Sequence, residues 1–149
     1  MDLGERLALV CCCVFFAVGL LAGVWKFVAT LRSPEGRSHR YVDVLHRAAL
    51  MYSFACLVLA RLCALSPLAQ TLETAAVGTV VAFFALAQLT YGLHAALKDT
   101  DNQLRAPYRL GGMPLHKIVV VGFMVCLIAG EVGGFAVLAF GALRGLGVW

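Results

Sequence analysis

The chain has 149 residues, of which 62% are hydrophobic and 13% are charged, and its mean hydropathy is +0.89. A soluble domain is usually about half apolar and about a quarter charged, so this composition excludes an ordinary water-soluble fold and predicts a lipid environment. The net charge is only +4, and the basic residues form no run interleaved with aromatic side chains, so nucleic acid is not an expected partner.

Four apolar stretches have the length of about 20 residues that a helix needs to cross a bilayer. Each stretch is continuously apolar rather than alternating, which predicts helices, because only helices and closed barrels pair every backbone group inside lipid. The sequence therefore predicts an all-α fold, an integral membrane four-helix transmembrane bundle in a single domain covering residues 1–149. The expected spans are at about 7–31, 48–65, 75–97 and 118–143.

Positive charge is distributed unevenly between the connections of these spans. Nine of the twelve Lys and Arg residues lie in or beside the connections between spans one and two and between spans three and four. Because cytoplasmic loops carry the excess of Lys and Arg, we expect a multi-pass protein of the cell membrane with both loops cytoplasmic and both termini non-cytoplasmic. Trp149 is then expected in the aromatic belt of the outer surface.

Small residues recur at helical spacing in the predicted spans. Span one contains the pair Gly19 and Gly23, and span four contains the pair Gly130 and Gly134. Small residues let helix backbones approach closely in lipid, where van der Waals packing rather than hydrophobic exclusion holds helices together. These seams predict either a tight bundle or contacts between subunits, and the sequence leaves both uses open. Further small residues of span four are Gly122, Cys126, Gly133 and Gly141.

Glu131 lies near the middle of span four, where an ionisable side chain is costly unless it is paired or protonated. One interpretation is that it binds a proton, a cation or a cationic substrate. The alternative is a protonated or hydrogen-bonded side chain that joins two helices. Arg61 of span two and Gln88 of span three are the expected partners.

Further polar residues occupy the inner half of spans two and three. Ser53 shares a helix face with His46, and Gln88 shares a face with Tyr91. If these faces meet, they form a polar pocket that opens to the cytoplasm. The alternative is ordinary hydrogen bonding between helices.

Three of the four histidines, His46, His94 and His116, are predicted at the cytoplasmic ends of spans two, three and four. Asp43 and Asp99 lie at a similar depth. Imidazole and carboxylate groups at one level can bind a metal ion, and two facing histidines can hold haem iron. These five residues are therefore candidate metal or haem ligands. The alternative is that the amphipathic rings simply occupy the membrane interface.

Three functions are consistent with these features. The favoured one is a non-enzymatic accessory subunit of a membrane complex or a homo-oligomeric bundle, whose partners are the lipid bilayer and other membrane subunits or a second copy. The sequence contains no nucleophile with an adjacent base and no glycine-rich phosphate loop. The first alternative is a small proton-coupled transporter that uses Glu131. The second is a haem- or metal-binding redox or lipid-modifying protein that uses His46, His94 and His116.

Overall fold

The computed structural model describes residues 1–148, and Trp149, with its predicted place in an aromatic belt, lies outside the described residues. The chain forms four long helices and one short antiparallel β-hairpin. These elements are α1 (Leu3–Arg32), α2 (Arg40–Leu65), α3 (Gln70–Leu97), β1 (Arg109–Leu110), β2 (Met113–Pro114) and α4 (Lys117–Gly145).

Each of the four helices is long and apolar enough to cross a bilayer. They contain 26 to 30 residues, which corresponds to about 39–45 Å and exceeds the ~30 Å thickness of the hydrocarbon core. The predicted all-α architecture with four such helices is confirmed, and every predicted span lies inside an observed helix.

The largest difference from the predicted boundaries is at α2, which begins at Arg40 rather than near residue 48. Hydropathy marks only the part of a helix that suits lipid, whereas local polar bonds hold the first turns of α2. The His39 ring accepts a hydrogen bond from the Tyr41 amide at 3.4 Å, and Asp43 pairs with Arg47 at 2.8 Å. The helix therefore continues beyond its apolar part into the polar layer.

The connections between the helices are distributed over the two ends of the bundle. Residues 33–39 and 98–116 join α1 to α2 and α3 to α4 at one end, which we call the loop face. Residues 66–69 join α2 to α3 at the opposite end, which we call the link face. The start of α1 and the end of α4 also lie at the link face, so consecutive helices run antiparallel.

The apolar core lies between α1, α2 and α3. Phe84 of α3 stacks on Tyr52 of α2 with ring centroids 4.1 Å apart, and it meets Phe15 of α1 edge-on at 6.5 Å. Val77 and the α4 side chain Leu138 are fully buried in the same cluster. Within the described residues the backbone of α4 packs against α3 and α2 and does not come close to the backbone of α1. The fourth helix therefore covers only one side of a three-helix core.

Large apolar side chains cover the outer surface of all four helices. Examples are Leu21 (70% exposed), Met51 (72%), Leu89 (63%) and Ile118 (73%). Soluble monomers rarely expose apolar patches of more than a few hundred Å². This surface therefore matches a lipid environment better than water.

The pair Gly19 and Gly23 lies where α2 packs most closely on α1. A Cβ placed on Gly19 would lie 2.7 Å from Leu50 Cδ2, and one on Gly23 would lie 2.9 Å from His46 Cε1. Both distances are shorter than real Cβ contacts, so a side chain at either position would force Leu50 or His46 of α2 to shift. This pair therefore serves packing within the bundle.

A second glycine seam fastens α4 to α3 and to the link face. A Cβ placed on Gly134 would lie 2.5 Å from Val80 Cγ2 and 2.9 Å from the carbonyl oxygen of Ala76. The backbone of α3 cannot move away without separating the helices, so a side chain is excluded here. The seam continues through Gly130, Gly141 and Gly145, each of which faces α3 or the residues around the link.

We predict that Gly134→Ala destabilises the fold while Gly133→Ala does not. Both substitutions raise helix propensity equally, but no atom lies within 4 Å of a Cβ at Gly133. The free energy of unfolding, measured by denaturant titration in micelles, should be lower for Gly134→Ala than for Gly133→Ala by about 1–3 kcal/mol. Equal stabilities of the two variants would contradict the assigned seam.

Candidate functional site

A buried hydrogen bond between His94 and Asp99 fastens the second loop to α3 at the loop face. His94 Nδ1 lies 2.7 Å from Asp99 Oδ1, and the two side chains are only 3% and 5% exposed. Lys98, with φ of 51° and ψ of 35°, ends α3 in a left-handed turn that directs Asp99 back towards His94. Asp99 Oδ2 also accepts a hydrogen bond of 2.5 Å from the amide of Gly111 in the β-hairpin. One carboxylate therefore holds both the helix end and the hairpin.

Tyr41 ties the start of α2 to the same loop. Its hydroxyl accepts a hydrogen bond of 2.7 Å from the Gln103 amide. Its ring lies 5.1 Å from the His94 ring and stacks on Tyr91 of α3 at 6.1 Å. Neither Tyr41 nor Gln103 was among the predicted site residues, because the contact joins positions 62 residues apart.

The pKa of the Asp99 carboxyl is lower than its ordinary value. Burial by itself raises this pKa, but the hydrogen bonds donated by the His94 ring and by the Gly111 amide outweigh that effect. Because the folded-state pKa is lowered, the stabilisation by Asp99 is complete above the ordinary range of an aspartate. It is lost as the pH falls through the lowered value.

The other predicted ligands make separate contacts. His46 Nδ1 lies 2.8 Å from the carbonyl oxygen of Gly19, so this ring packs α2 onto α1. His116 caps α4 by accepting a hydrogen bond from the Ile118 amide at 3.2 Å. Asp43 is held by Lys26 at 2.5 Å and by Arg47.

The structure does not bring the predicted metal ligands His46, His94 and His116 together, and metal binding by them stays a prediction. Over residues 1–148 no three His, Cys, Asp or Glu side chains converge as metal ligands. The physical reason is that each ring bonds to a different partner, although the three lie towards the same end of the bundle. Haem binding by two of these histidines stays a prediction.

Glu131 is at the midpoint of α4, fourteen residues from each end of Lys117–Gly145. Its Oε1 atom is buried and has no hydrogen-bond partner. The predicted partner Arg61 is exposed, and no ion pair joins the two side chains, so that pairing is wrong. Instead Glu131 lies within electrostatic range of the Tyr52 hydroxyl of α2.

The predicted polar pocket on α2 and α3 forms only in part. Ser53 donates a hydrogen bond of 2.6 Å to the carbonyl oxygen of Leu50 in its own helix. Gln88 is bonded in the same way to the Phe84 carbonyl at 3.3 Å, and its Oε1 atom is buried without a partner. Tyr91 lies near the Tyr52 hydroxyl rather than near Ser53. The polar residues that the structure brings near one another are therefore Tyr52, Tyr91 and Glu131, whereas Gln88 bonds within its own helix.

Tyr52 precedes Ser53 in the polar pair of span two, but it was not among the predicted site residues, because nothing in the sequence places it near Glu131. The rotation of α4, set by its glycine seam, brings Glu131 towards it. Comparisons with models of known protein families, with curated proteins and with solved structures find no match to this chain. The geometry alone therefore guides the functional interpretation.

We predict that Asp99→Ala releases the loop of residues 98–116, whereas Asp101→Asn does not, because the Asp101 side chain is 79% exposed. Loss of the buried charge-assisted bonds should lower the free energy of loop opening by about 1–3 kcal/mol. The readout is the nuclear magnetic resonance signal of the Gly111 amide in micelles. In the wild-type protein this signal should move to the Asp99→Ala position as the pH falls through the lowered pKa of Asp99.

A wild-type Gly111 signal that is constant across that acidic range would contradict the role of Asp99. The same conclusion would follow if Asp101→Asn shifted the signal as much as Asp99→Ala.

Proposed function

We propose that the chain is a non-enzymatic, four-span integral membrane protein that assembles through α4 with a second copy or with another membrane subunit. In this proposal the bilayer is the cell membrane, the loop face is cytoplasmic and both termini are non-cytoplasmic. The exposed apolar surface of all four helices and the basic residues of the loop face support this arrangement.

The observation that carries the proposal is a second small-residue face on α4. It consists of five residues at alternating intervals of four and three, which we call the outer face of α4, and it does not coincide with the glycine seam. No atom lies within 4 Å of a Cβ at Gly122 or at Gly133. The residues of this face are Gly122, Cys126, Ala129, Gly133 and Ala136.

The burial of α4 supports the same interpretation. In the most apolar part of α4 only 11% of the residues are buried inside the structure, compared with 44% in the corresponding part of α3. Large side chains such as Val125, Ile128 and Val132 lie on the remaining surface, where they suit contact with lipid chains. Small residues gain little from lipid chains but allow another helix to come close, because close packing drives helix association in membranes.

We predict that Gly133→Leu weakens assembly at least tenfold and that Val132→Leu does not. The substitutions are adjacent on α4, but only the first fills the outer face. Assembly is measured by resonance energy transfer between labelled copies in vesicles, and, for another subunit, by native co-purification of a partner of fixed stoichiometry. Monomeric wild-type protein with no such partner, or equal effects of the two variants, would overturn the proposal.

The second candidate function is proton-coupled transport through Glu131. A specific observation favours it, since this mid-helix carboxyl group has a buried oxygen without a partner and lies within electrostatic range of the Tyr52 hydroxyl. Intramembrane carboxyl groups of this kind occur in proton relays of transporters.

We predict for this second function that Glu131→Gln abolishes uptake of lipophilic cations driven by a pH gradient across proteoliposomes. Glu35→Gln removes an exposed acid of the loop face and should leave uptake unchanged. Transport that survives Glu131→Gln, or wild-type protein with no gradient-driven uptake, would eliminate this function and leave the assembly proposal intact.

A further inference from the structure

An open cavity of about 880 Å³ lies at the loop face between the end of α1, the first connection and the start of α2. The cavity is lined by four basic side chains and by only two acidic side chains, Glu35 and Asp101. The cavity therefore carries an excess of positive charge. The basic residues are Arg32, Arg37, Arg40 and Lys98.

Three acids near this cavity already have partners among the side chains of the chain, whereas Glu35 pairs with none of the basic residues. Asp43 pairs with Lys26 and Arg47, Asp99 pairs with His94, and Asp101 lies 3.5 Å from His39. Within residues 1–148 none of the four basic side chains of the cavity has a carboxylate oxygen within 4.0 Å. Their positive charge is therefore free to bind an anion from outside the chain.

Three helix ends border the cavity: the start of α2 at Arg40, the end of α1 at Arg32 and the end of α3 beside Lys98. The C-terminal ends of α1 and α3 oppose the N-terminal end of α2 in their effect on an anion, so the attraction comes from the basic side chains themselves. Apolar residues of α1 also line the cavity. They include Val28, Ala29 and the half-exposed ring of Trp25. A cavity lined by both cationic and apolar side chains suits a ligand that has an anionic group and hydrocarbon chains.

We propose that this cavity binds the phosphate headgroup of an anionic phospholipid, with Arg32, Arg37, Arg40 and Lys98 around the phosphate. Trp25 then contacts the start of the acyl chains, because indole rings favour the boundary between headgroups and hydrocarbon. Basic pockets between transmembrane helices bind anionic lipid headgroups in this way. The inference rests on the proposed membrane location but is independent of assembly through α4.

The experiment uses full-length Trp149→Phe protein in micelles, so that Trp25 is the only source of indole fluorescence. Phosphatidylglycerol and phosphatidylcholine are titrated in turn, and each dissociation constant is read from the Trp25 signal. We expect tighter binding of phosphatidylglycerol by at least tenfold. Arg37→Gln combined with Arg40→Gln should weaken it by about fivefold per charge, or about 25-fold for the pair.

Two variants make the test specific to the cavity. Arg37→Lys combined with Arg40→Lys keeps the charge and should restore most of the affinity, which separates loss of binding from loss of folding. Arg6→Gln combined with Arg144→Gln removes the same charge from the link face and should leave binding unchanged. An equal loss in this control would show a general surface effect and overturn the proposed site.

The lipid and a free anion are distinguished by competition. Glycerol phosphate at millimolar concentration should not displace phosphatidylglycerol, because it lacks the chains that contact the apolar residues of α1. Displacement by glycerol phosphate, or equal affinities for the two lipids, would overturn the proposal. Flotation with pure phosphatidylcholine vesicles reports membrane insertion separately, so failure of the lipid site is distinguishable from failure of the membrane location.

Discussion

The backbone contact between α3 and α4 at Gly134 is the constraint on which the remaining arrangement depends. Because α4 meets only α3 and α2 within the described chain, this contact determines how the fourth helix is rotated about its axis. Glu131 precedes Gly134 by one turn and therefore lies towards the neighbouring helices. Gly133 lies about 100° away around the helix and therefore belongs to the outer face of α4.

The loop face has a different organisation, in which Asp43 and Asp99 have partners and excess cations remain exposed. Asp99 bonds to His94 and to the Gly111 amide, and Asp43 is held by Lys26. These pairs hold the connections onto the helix ends. They also leave a group of basic side chains uncompensated beside the apolar end of α1, which makes this face suited to an anionic membrane surface.

The loop face and the middle of the bundle therefore differ in whether their polar groups already have hydrogen-bond partners. The histidines towards the loop face are used in capping, in packing and in a buried hydrogen bond, so their contacts already account for their positions. The carboxyl group of Glu131 has a buried oxygen without a partner. Glu131 therefore keeps a polar atom unpaired near the middle of the bundle, whereas the loop face is organised by charge.

The sequence by itself determined the four helices, because any lipid-spanning helix needs a long continuous apolar stretch, and it determined Glu131 as the residue at mid-depth. It could not determine which glycine of α4 contacts another helix. Gly134 and Gly133 are adjacent and alike in sequence, and only the position of α3 makes Gly134 a packed residue and leaves Gly133 without a neighbour. It also could not place Asp99 under His94, since that depends on the left-handed turn at Lys98. Pairing with Arg61 failed for the same reason, because a side chain's partner is decided by helix rotation, which hydropathy does not encode.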